Sequence, residues 1–205
     1  MNPPATPDRR SCSGIVLLTI ALCSGCAPVD LLLLTMGSAG YCPHCLTVEV
    51  GQYGVSAENV AVLKGYRGRT VKIEQFTEAE PRRTEIICRG AVRITTPDKR
   101  PFDDYIRKAF IDELTAAELL SESAHVTLNG RANNVDFNSN IGEWLLDYTV
   151  MSSNGGSLRV AEKYGYGSAF IIRTACARTA EAFVPAVQAL IGKLVQHPEF
   201  PELLR

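Results

Sequence analysis

Cys42 and Cys45, in the run Cys42-Pro43-His44-Cys45, are the residues whose type and spacing come nearest to chemistry. A thiol at a helix N-terminus has its pKa lowered, and its thiolate can exchange with a substrate disulfide. That activation needs a helix to open at the pair. Leu46–Val50 (LTVEV) instead alternates as a strand does, and Gly51 and Gly54 follow. A zinc site would need four ligands. Besides His44, the candidates Cys88, His125, Cys176 and His197 stand singly, and there is no second Cys-x-x-Cys. No metal or other cofactor is expected. Cys88 and Cys176 enclose 87 residues. In an oxidising compartment they would pair; otherwise they would stay as two buried thiols. The bond is the expectation.

Other groups offer less. No Gly-x-Ser-x-Gly occurs. His125 opens a strand and His197 closes a helix, which suits surface or capping roles. Asp103/Asp104 and Asp112/Glu113 are neighbours on a helix and are expected in solvent. Tyr164-Gly165-Tyr166-Gly167 has no third glycine at phosphate-binding spacing and reads as a strand end. No catalytic residue is assigned, and the chain is not expected to be an enzyme.

The elements that must position these groups follow from periodicity. Arg9 and Arg10 precede the apolar run Gly14–Cys23, and Ser24-Gly25-Cys26 ends it. A basic start, a short apolar run and small residues make an export signal. The run is too short to span a bilayer, which takes about 20 residues. Residues 1–25 are read as the signal, 26–58 as a tether and 59–205 as one domain. In that domain Thr70–Phe76 sets Val71, Ile73 and Gln75 against Lys72, Glu74 and Phe76. Thr84–Cys88 and Ala91–Thr95 are short strands. Phe102, Tyr105, Ile106, Ala109, Phe110, Leu114 and Ala117 form a helical stripe. Three strands follow over 125–166, with a hairpin at Asn154-Gly155. A last helix runs from about Thr174 to Val195, kinked at Pro185, and His197–Arg205 is a tail. The class is α+β: strands, a helix, three strands and a helix, with two helices on one face of a mainly antiparallel sheet.

Composition narrows the function. The chain has 205 residues, 46% hydrophobic and 21% charged, with net charge −1. A strongly basic nucleic-acid binder is excluded. Residues 64–108 carry twelve Lys and Arg against seven Asp and Glu, whereas 109–205 carry seven against eleven.

Ser24-Gly25-Cys26 resembles the end of a bacterial lipoprotein signal, with Leu22 one place early and Cys23 where leucine is usual. The resemblance implies that Cys26 carries the lipid and begins the mature chain. Ala27, in place of Asp, implies the outer membrane. Cys42-Pro43-His44-Cys45 looks like the active site of periplasmic thiol oxidases over those four residues alone. Signal, tether and element order together resemble small envelope lipoproteins of the YajG and LptE type. That resemblance implies a non-catalytic accessory or assembly component, held to the membrane by its lipid and facing the periplasm, with an envelope protein as partner. Two alternatives stand beside it. One is a thiol-disulfide oxidoreductase using Cys42 and Cys45, and the other is a carrier of lipid or a small ligand in a groove between helices and sheet.

Overall fold

Val48 and Val50 alternate with Thr47 and Glu49, and the segment takes the strand that this pattern dictates. The computed structural model describes residues 46–78 and 82–205. In chain order the elements are β1 (Leu46–Glu49), α1 (Ala57–Leu63), β2 (Val71–Glu78), β3 (Glu85–Cys88), β4 (Val92–Thr95), α2 (Phe102–Ala116), β5 (Val126–Asn138), β6 (Glu143–Ser152), β7 (Ser157–Gly165), α3 (Ile172–Glu181), α4 (Phe183–Val195) and α5 (Phe200–Leu203). The class is α+β. The strands form two sheets rather than one, ordered β1-β4-β3 and β2-β5-β6-β7. The β1/β4 and β2/β5 pairs are parallel, and the others are antiparallel.

The fold therefore begins earlier than residue 59. β1 pairs with β4, and the buried Val50 donates its N–H to the Thr95 carbonyl at 2.9 Å. Residues 46–58 belong to the domain rather than to the tether. α1 was not foreseen. Its cap is Ser56, whose Oγ accepts from the Asn59 N–H at 3.3 Å.

Two bulges correct the strand phases. β2 slips register between Ile73 and Phe76, so Phe76 turns inward with Val71 and Ile73 while Gln75 faces out. Phe76 pairs with Gly130 of β5, and a Cβ on that glycine would lie 2.7 Å from the ring. The glycine is what lets the aromatic lie flat on the sheet. β5 slips again between Ala132 and Asn134, which brings Val135 inward.

The helical stripe of α2 is buried at every position named for it. Trp144 of β6 sits at the centre, its ring 4.7 Å from Phe183 and 4.9 Å from Phe137. Its Nε1–H donates to the Thr179 carbonyl at 2.8 Å, so the indole enters the core fully bonded. The last helix is two helices, broken at Ala182. Pro185 has no N–H for the Glu181 carbonyl, and its ring crowds it. The tail is also ordered. α5 buries Phe200 and Leu203, and Leu204 follows them into the core.

Candidate functional site

Cys26, Cys42 and Cys45 lie outside the described residues. Cys88 at the end of β3 and Cys176 in α3 are bonded, with sulfurs 2.04 Å and Cα atoms 5.9 Å apart, and both are buried. The bond ties α3 to the smaller sheet and spends both thiols. His125 is exposed, and His197 Nδ1 accepts from the Glu199 N–H at 3.2 Å. Gly165 closes β7, as a strand-end reading requires.

Two of the four carboxylates expected in solvent are fully buried. Asp103 and Glu113 are 0% exposed, while Asp104 and Asp112 remain partly exposed. Helical spacing explains this: Glu113 stands three residues beyond Phe110 and four beyond Ala109, on the apolar stripe itself. Asp103 meets a cation and Glu113 Oε1 meets neutral donors, whereas Glu113 Oε2 has no hydrogen-bond partner among the described residues. Arg82 Nε meets Asp103 at 3.1 Å. Glu113 Oε1 accepts from Tyr53 Oη at 2.6 Å, the Ser56 N–H at 2.9 Å and Asn59 Nδ2 at 3.4 Å. Burial, with the bond and charge of Glu113, pushes the Tyr53 hydroxyl pKa far up. The phenol stays a donor at any ordinary pH.

Polar groups converge where the two sheets part. β2 ends at Glu78 opposite Ala132, while β5 runs on to Asn138. Glu78, Arg83 and the bulged stretch Ala132–Asp136 line a cleft of about 130 Å³. Arg83 Nη2 donates to the Val135 carbonyl at 2.7 Å, and its backbone N–H donates to Glu78 Oε2 at 3.0 Å. Glu78 Oε1, Arg83 Nε and Tyr148 Oη are buried with no hydrogen-bond partner among the described residues. Burial raises the Glu78 carboxyl pKa, and the Asp103 charge adds to it. The Arg83 N–H opposes both. Burial also holds Tyr148 as a neutral phenol. The lining of this cleft is mostly polar and supplies no thiol or hydroxyl nucleophile. Between α2, α4 and the larger sheet the free space is about 10 Å³. Ligand pockets run to about 300 Å³ and more.

At one end of the molecule three loops are clamped by Arg89. Its Nη1 donates to the Phe170 carbonyl at 3.0 Å, and its Nη2 to the carbonyls of Ser139 and Ala169 at 2.9 and 3.0 Å. Its Nε donates to Ser139 Oγ at 3.2 Å. The Tyr166 N–H donates to the Gly142 carbonyl at 2.7 Å. Gly142 has φ 76°, and a Cβ there would lie 2.1 Å from the Tyr166 carbonyl oxygen, so only glycine fits. Neither Arg89 nor the seam residues were singled out from the sequence. A single arginine beside a glycine carries no periodic signal. Phe170-Ile171-Ile172, between a glycine-rich strand end and a helix, was the legible sign that something lay at this end.

No known family profile and no curated protein matches the chain. Among solved structures, protein XCC0632 from Xanthomonas campestris, of the DUF330 family, is similar with a TM-score of 0.42. Identity is 9%, over 62% of this chain and 83% of that one. A candidate lipoprotein from Caulobacter crescentus CB15 is similar with a TM-score of 0.34 and 16% identity, over 72% of this chain and 96% of that one.

Proposed function

We propose that this chain is a non-catalytic envelope lipoprotein, anchored through a lipid on Cys26 at the outer membrane and facing the periplasm. The observation that carries the reading is the buried Cys88–Cys176 disulfide standing downstream of a lipoprotein-type leader. Disulfides of this kind belong to oxidising compartments, and the leader supplies the export. The domain's role is to bind an envelope protein. The cleft beside β2 and β5 is the place we assign to that contact, because it is a polar recess lined by Glu78, Arg83, Asn133, Asn134 and Asp136.

Expression of Cys26→Ser in the native host tests the anchor. The variant should accumulate as the unprocessed, unacylated chain, while the parent fractionates with the outer membrane. Identical processing and fractionation of the two would overturn the reading. Crosslinking from the envelope with and without Arg83→Ala tests the contact, and the expected result is loss of one specific adduct.

A further inference from the structure

We propose that the clamped loop end is a membrane-docking tip that seats on the phospholipid surface holding the anchor. The proposal rests on the lipid-anchor reading and deepens it. Among the described residues seven large apolar side chains are exposed: Leu46, Val55, Ile87, Ile141, Phe170, Ile171 and Ile172. Exposed apolar residues scattered singly are ordinary; a cluster is not. Four of the seven, Ile141, Phe170, Ile171 and Ile172, stand on or beside the two loops that Arg89 clamps together. Phe170 is 99% exposed, Ile171 68% and Ile141 65%. Phe170 and the Ile141 loop are joined through Arg89 and Ser139, and Ile87 lies two residues before Arg89.

Two further observations select a membrane as the occupant. First, the chain arrives at this end. Leu46, the first described residue, pairs with Val92, which pairs with Cys88, the residue before Arg89. The nineteen residues between Cys26 and Leu46 reach at most about 70 Å. A contact made at this end would hold the domain close to the lipid that Cys26 is proposed to carry. Second, the chemistry suits an interface. Phe170-Ile171-Ile172 is followed by Arg173, which is exposed and has no ion-pair partner among the described residues. Apolar side chains beside a cation match the acyl and phosphate layers of a bilayer surface. The tip is also stiff. The Cys88–Cys176 bond, the Arg89 clamp and the Gly142 contact fix it before it meets lipid, so little ordering cost remains.

The wild-type chain has one tryptophan, Trp144, which is buried and serves as the reference. The full-length chain carrying Phe170→Trp is reconstituted in vesicles of phosphatidylethanolamine and phosphatidylglycerol, with and without lipids brominated near the headgroup end of the acyl chain. Arg205→Trp, at the hairpin end of β6 about 30 Å away, is the control. The expected result is that bromine quenches the tryptophan added by Phe170→Trp, while Trp144 and the control keep their emission. Absence of quenching overturns the proposal. Blue-shifted emission would then mean that protein covers the tip, either Leu31–Met36 of this chain or a second copy; red-shifted emission would mean that it faces water. The quenching reports the tip whatever holds the chain to the membrane. An acyl group absent from the protein's mass would therefore remove the anchor reading and leave this result standing, and the converse holds as well.

Discussion

Glu113 is a buried carboxylate and Glu78 a half-buried one, and the two have opposite consequences. Glu113 Oε1 gathers three donors and so staples residues 53–59 to α2. Removing it leaves those donors unsatisfied in a dry site. Glu113→Ala is expected to cost about 2–4 kcal/mol by urea unfolding, and Glu113→Gln, which keeps an acceptor, less. Equal stability of the alanine variant and the parent would refute the staple. Glu78 instead has its carboxyl pKa raised above the ordinary 4.5, first by burial. The sign follows from linkage. The native state holds this proton more tightly, so its contribution is full below the unfolded value and is lost as pH rises through the folded one. Glu78→Gln removes that loss. Its urea midpoint should fall less than the parent's between about pH 4 and about pH 7. A parallel decline in both proteins would contradict the assignment.

At the scale of elements, local pattern and distant contact divided the work. The α2 stripe, the Asn154-Gly155 hairpin and the α+β class were legible because each depends on neighbours in sequence. The phase of β2 was not, because its bulge answers to Gly130 on another strand. The place of Glu113 was missed for a related reason. Charge was read before spacing, and spacing put the residue on the buried face. β1 looked like a strand, but its partner β4 stands far along the chain. Two variants test these elements. Gly130→Ala forces the Phe76 ring aside and should cost about 1–3 kcal/mol, read as a lowered midpoint in denaturant. Cys88→Ala with Cys176→Ala opens the long loop and should cost about 2–4 kcal/mol in the same assay without reductant. Loss of less than a few tenths would mean that the helix is held by packing alone.

For the whole molecule the proposed reading places a disulfide-fastened domain behind a lipoprotein-type leader, with an apolar tip near Leu46, where the described chain begins. Among the described residues no helix is long and apolar enough to cross a membrane. In the proposed reading the lipid on Cys26 attaches the chain, the tip sets its orientation and the cleft is offered to a partner. The reading of Cys26 came from residue order alone, since a lipid leaves its mark in sequence and not in packing. The most direct measurement is the intact mass of the protein extracted from its native membrane, with and without reduction and alkylation. The account predicts a chain beginning at Cys26, heavier by a diacylglyceryl group and an amide-linked acyl chain, with Cys88 and Cys176 alkylated only after reduction. A full-length chain with no added lipid mass and freely alkylated Cys88 and Cys176 would contradict it.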